Sequence, residues 1–84
     1  MIKRYESKKN VSGEFIKNAR KEKKMSKTKL SIRLELQGIY LDGNEIYRIE
    51  ENKLLVKDFE LIGIAKALDI DLNKLKDLLD WLFI

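Results

Sequence analysis

Residues 25–68 read MSKTKLSIRLELQGIYLDGNEIYRIEENKLLVKDFELIGIAKAL, and the segment at their centre, LDGNEIYRIEEN (41–52), decides the fold. Asp42 stands three residues ahead of Glu45, the spacing of a capping box that satisfies orphan amides at a helix start. Leu41 and Ile46 flank that cap at the spacing of a hydrophobic staple. A short helix starting near residue 43 then turns Ile46 and Ile49 inward and leaves Gly43, Asn44, Tyr47 and Arg48 outward. Amide, phenol and guanidinium groups gathered on one small helix suit the reading of nucleic acid.

The same residues admit a rival reading. LSIRLEL (30–36) alternates apolar and polar with the period of a half-buried strand. Asp42-Gly43, between IYL and EIYRI, is also a strong hairpin signal. The flanks decide for helix, because both of them carry helical periodicity.

Upstream, Ser12 or Gly13 starts a first helix with Glu14 near its positive end. Phe15, Ile16 and Ala19 form its apolar stripe, and KEKK (21–24) supplies cations towards its C-terminal turn. Met25 and Ser26 make the joint, with Ser26 as N-cap of a second helix. Leu30 and Leu34 lie one turn apart on its core face, and Ile32 and Leu36 form an adjacent stripe. Ser31, small and next to Leu30, permits close approach of a neighbour. Gln37-Gly38 ends this helix, with glycine in the left-handed position. Asn52 plays the same part after the central helix, since asparagine tolerates positive φ better than most residues.

Downstream, Phe59, Leu61, Ile62, Ala65 and Leu68 are expected on the buried side of a fourth helix. Ile70 and Leu75 then bracket Asp71 as a second staple and cap, opening a fifth helix through Leu72, Leu75, Leu78, Leu79 and Leu82. The expected architecture is all-α, a compact orthogonal bundle of five helices. Residues 1–11 read as a basic flexible arm, and residues 12–84 as one domain ending in an apolar tail.

Composition narrows the chemistry. The chain has 84 residues, no cysteine and no histidine. Thiolate metal sites, disulfides and Ser-His or Cys-His nucleophilic catalysis are therefore impossible. No acidic cluster has calcium-loop spacing, and no glycine-rich phosphate loop is present. A non-enzymatic protein without metal or cofactor is expected. No apolar run has membrane-span length, and MIKRYESKKN lacks the apolar segment of a signal peptide, so a cytoplasmic location is expected. Charge is uneven. The net of +4 arises from residues 1–24, with nine Lys/Arg against three Glu, while residues 54–84 carry four against six. Positive charge gathered at one end suits a phosphate-binding face, and it suits equally a solvated arm that keeps the protein soluble.

The sequence words IKNARKEKKMSKTKL (16–30), EIYRIEENK (45–53) and DFELIGIAKALDIDLNKL (58–75), in this order, resemble the Cro/C1-type (XRE-like) helix-turn-helix family of phage repressors and small bacterial regulators. The resemblance covers roughly residues 13–79. It implies a lambda-repressor-like helix-turn-helix domain whose third helix lies in the major groove of double-stranded DNA, with the start of the second helix on the phosphate backbone. The implied function is sequence-specific transcriptional regulation, repression in particular.

Carried over by position, Gly43, Asn44 and Arg48 fall on base-facing positions. Asparagine offers a bidentate match to adenine, and arginine one to guanine. Lys27 and Thr28 fall at the backbone-contacting start of helix 2, and Lys53 and Lys57 are further phosphate candidates. Glu45 would accept from cytosine or else repel phosphate. Tyr47 would stack on sugar, donate to phosphate, or cover the core edge. Arg20 and Glu50 match a pair that bridges helices 1 and 3. The sequence departs from the family where Lys27 replaces the usual glutamine, Ser31 the usual alanine, and where the Leu34–Asp42 connection is lengthened, which leaves the angle between helices 2 and 3 open. Trp81, Leu82, Phe83 and Ile84 either cap the core or form the interface of a homodimer. A second class of function fits the same fold: a protein-interaction module, such as an antitoxin or a repressor-neutralising partner.

Overall fold

The computed structural model describes residues 8–74, and these form an all-α structure of four helices with no strand. They are α1 (Gly13–Glu22), α2 (Lys27–Glu35), α3 (Gly43–Glu50) and α4 (Asp58–Leu68). α1 packs on α3 and α4, and α2 packs on the same two, so the helices close a ring around one core. Ile16, Leu30, Leu34, Ile46, Ile49, Ile64 and Leu68 are almost wholly buried there. Each contributes roughly 1.5–3 kcal/mol of transfer free energy.

The starts of the helices follow local chemistry. The Ser26 hydroxyl accepts from the Lys29 amide at 3.0 Å, and Asp42 with Glu45 completes a reciprocal capping box. At α4 Glu60 reaches back to the Lys57 amide at 2.9 Å, half of such a box, since an ammonium has nothing to return. α1 differs from the sequence expectation. Ser12 is its N-cap by position but makes no side-chain capping bond. The Asn10 carboxamide oxygen instead accepts from the amides of Ser12 (3.1 Å) and Gly13 (2.8 Å).

The ends share one device. Lys24, Gly38, Asn52 and Asp69 each take a positive φ, at 53°, 78°, 62° and 53°. Around each, the following residue bonds five back and the residue itself three back: Met25 to Arg20 O and Lys24 to Lys21 O, Ile39 to Leu34 O and Gly38 to Glu35 O, Lys53 to Arg48 O and Asn52 to Ile49 O, Ile70 to Ala65 O and Asp69 to Lys66 O. This double closure satisfies the last carbonyls of every helix. After three of the four left-handed residues comes an apolar one, Met25, Ile39 or Ile70, folded back onto the core.

The hairpin reading falls here, and its reason is visible. Leu30 and Leu34 face the core, whereas Ile32 and Leu36 point to solvent, 53 % and 83 % exposed. The period of two in LSIRLEL is thus a buried helical pair interleaved with two surface apolar residues. The expected face of α4 also needs correction. Phe59 and Ile62 are more than half exposed, and the buried face is Glu60, Gly63, Ile64, Ala65, Ala67 and Leu68. α4 carries apolar residues on both its buried and its exposed side, and an acid, Glu60, on the buried one, so its pattern left the rotation undetermined. Ser31 does more than leave space: its hydroxyl donates to Leu41 O at 2.6 Å and pins the α2–α3 connection to α2. The expected fifth helix lies mostly outside the described residues; at its expected start Asp71 accepts from the Asn73 amide at 2.9 Å.

Candidate nucleic-acid interface

α3 is held from beneath by three residues, Ile46, Ile49 and Glu50, all buried. Glu50 is the unusual member of that set. Its carboxylate receives Arg20 from α1 through two hydrogen bonds, Nε to Oε2 at 2.7 Å and Nη2 to Oε1 at 3.0 Å. The third arginine nitrogen, Nη1, donates to Met25 O at 2.8 Å, so the guanidinium also holds the α1–α2 joint. Hydrogen bonding to Glu50 raises the Arg20 pKa above its ordinary value against the opposing effect of burial. The guanidinium therefore stays charged at any working pH. The pair fixes α3 in position and rotation, since a bidentate contact tolerates little sliding.

Two further features lock α3 to α1. Lys17 pairs with Glu51 at 3.2 Å, in a half-exposed bridge. At the start of α1, a Cβ on Gly13 would collide with the carbonyl oxygens of Ile49 and Glu50. Only glycine allows α1 to begin against the end of α3.

With its inner side fixed, α3 turns Asn44, Tyr47 and Arg48 to solvent. The start of α2 lies alongside. A Cβ on Gly43 would stand 4.0 Å from the Lys27 Cβ, and the Lys27 ammonium sits 5.8 Å from the centre of the Tyr47 ring. Lys27, Gly43 and Tyr47 thus form one contiguous patch, with exposed Thr28 in the same first turn of α2. The Tyr47 ring is 45 % exposed with a cation over its face, so it lies outside the core.

Two expected site residues, Glu45 and Lys57, sit differently. Glu45 turns back to its own cap, its Oε1 accepting from the Asp42 amide at 3.1 Å, and does not extend across the outer face. Lys57 opens α4 with its ammonium over Phe59, 5.8 Å from the ring centre, on its own helix and not over α3. Lys53 follows α3 directly, exposed, with its amide on Arg48 O at 2.8 Å. Trp81, Leu82, Phe83 and Ile84 lie outside the described residues.

Sequence reasoning missed Asn10 altogether. Besides capping α1, its amide nitrogen donates to Ile49 O (3.0 Å) and Leu54 O (2.8 Å). Asn52 Nδ2 donates in return to the Asn10 carbonyl and side-chain oxygens, at 3.1 and 3.0 Å. Lys9 and Asn10, assigned to the flexible arm by composition, are therefore bonded into the domain. The available signal was an asparagine three residues ahead of a glycine that opens a helix.

Among the described residues, no group of three or more acidic side chains is placed to hold a metal ion. No helix among them is long and apolar enough to cross a membrane. No protein-family model matches the chain, and no curated protein or solved structure matches it.

Proposed function

We propose that this chain is a sequence-specific, double-stranded DNA-binding transcriptional regulator of the helix-turn-helix type, with α3 as the element that enters the major groove. One observation carries the reading: a two-turn helix, locked from beneath by a bidentate ion pair, turns an asparagine and an arginine outward beside a lysine at the start of the preceding helix. In this reading Asn44 and Arg48 read base edges, Lys27 and Thr28 contact phosphate, and Gly43 lets the helix approach closely. The resemblance to Cro/C1-type regulators supports it, and with it a lambda-repressor-like bundle completed by a fifth helix, repression by operator occupancy in the cytoplasm, and a homodimer formed through the apolar tail.

Fluorescence anisotropy with the DNA upstream of the protein's own coding sequence, against a scrambled duplex, tests this across ~50–200 mM salt. A preference for the upstream fragment that persists at the higher salt is expected. Equal, salt-labile binding to both would refute it.

A second reading has its own observation. Ile32, Leu36, Tyr40, Leu55, Phe59 and Ile62 are all about half exposed or more. So many surface apolar side chains suit a protein-interaction module on the same fold. Recovery of a stoichiometric protein complex from a chain that binds neither duplex would favour it.

A further inference from the structure

The Asn10–Asn52 network places basic residues as well as helices. Lys9 N donates to Asn52 O at 2.9 Å, and Lys53 N donates to Arg48 O at 2.8 Å. Two backbone hydrogen bonds thus connect Arg48, on the outer face of α3, through Lys53 to Lys9 and its neighbour Lys8. Lys8, Lys9, Arg48 and Lys53 are all exposed. Among the described residues none of the four forms an ion pair, and Glu51, two residues before Lys53, is engaged by Lys17. Four like charges held together by rigid backbone contacts repel one another in the free protein. The negative end of the α3 dipole offsets only part of that repulsion. A polyanion would offset the rest.

We infer that Lys8, Lys9 and Lys53 form a phosphate-binding ridge continuous with Arg48, which grips the DNA backbone flanking the base pairs that α3 reads. The Asn10–Asn52 clasp sets where this ridge runs. The Asn10 carboxamide makes five hydrogen bonds within it: two donated, to Ile49 O and Leu54 O, and three accepted at its oxygen, from the amides of Ser12 and Gly13 and from the Asn52 side chain. The segment ahead of α1 is thereby a fixed second contact element. This inference rests on the DNA-binding reading above and names a further part of the same interface.

The test is a salt titration of duplex binding by the full chain, comparing wild type with K8Q/K9Q/K53Q and with K21Q/K23Q/K24Q, which removes the same charge from the far end of α1. The ridge variant is expected to lower the slope of log K against log salt by about 2–3, near 0.9 per lost phosphate contact. Its affinity for cognate and scrambled duplexes should fall by the same factor, and K8R/K9R/K53R should retain the wild-type slope. The α1 variant should change the slope by less than one unit. An unchanged slope in the ridge variant, or an equal fall in both glutamine variants, overturns the ridge and leaves base reading by α3 standing. A loss confined to single-stranded RNA reassigns the ridge to RNA. Absence of duplex binding by wild type at ~50 mM salt overturns both inferences.

Discussion

Asn52, left-handed at the end of α3, donates its side-chain amide to Asn10 at 3.0 and 3.1 Å, joining the end of α3 to the start of α1. One residue therefore terminates a helix and fastens the segment that caps another. Asn52→Ala is expected to cost about 2–4 kcal/mol, the sum of two part-buried hydrogen bonds and the loss of asparagine's tolerance of positive φ. Asn52→Gly keeps the backbone and loses only the bonds, so it should be milder by about 1 kcal/mol. Urea denaturation of both variants checks the difference. Equal midpoints would mean the backbone term is negligible.

The Arg20–Glu50 pair is nearly inaccessible, with side chains 8 % and 1 % exposed. Glu50→Gln leaves a guanidinium buried without its counter-charge and should destabilise by about 3–5 kcal/mol. Replacing both residues with apolar ones of similar size should recover much of that loss, because the desolvation penalty disappears with the charges. Thermal melts of the single and double variants report it directly.

Lys24 and Gly38 occupy the same left-handed position at the ends of α1 and α2, one with a side chain and one without. Lys24→Gly should raise stability by about 0.5–1 kcal/mol, and Gly38→Ala should lower it by about 1 kcal/mol. No neighbouring atom lies within 4 Å of a Cβ built on Gly38, so the cost is conformational rather than steric.

On α4, Ile62 is 59 % exposed and Ile64 is 1 % exposed. Ile64→Ala is expected to cost about 2–5 kcal/mol, and Ile62→Ala to stay within about 0.5 kcal/mol. A large loss for Ile62→Ala would indicate that another surface covers it.

For DNA recognition, Arg48→Ala should cost about 1–3 kcal/mol at one base pair and relax preference there. Lys27→Ala should weaken all duplexes alike and reduce the salt slope by about one unit. Equal losses on cognate and scrambled duplexes for Arg48→Ala would remove its base-reading role.

Local chemistry fixed the helix borders and could be read directly. The Asp42–Glu45 box, the Ser26 cap, and the left-handed ends at Gly38 and Asn52 involve residues no more than five apart, so they appear as words in the chain. Lys24 and Asp69 do the same work without an αL-prone glycine or asparagine, and only the apolar Met25 and Ile70 after them gave a signal. The outward face of α3 was legible too, because Ile46 and Ile49 are its only aliphatic residues and both must be buried.

Tertiary structure decided what depended on distance. The rotation of α4 followed from where Ile64 and Leu68 met the other helices, since apolar residues on both sides of the helix leave its pattern ambiguous. The seat of Lys27 over Tyr47 and the clasp that binds Asn10 to Asn52 across 42 residues each join groups whose meeting no local pattern encodes. Sequence determined the helices and their ends because those hydrogen bonds close within a turn. The candidate interface depended on the fold, because its charges come together only when α1, α2 and α3 pack around a shared core.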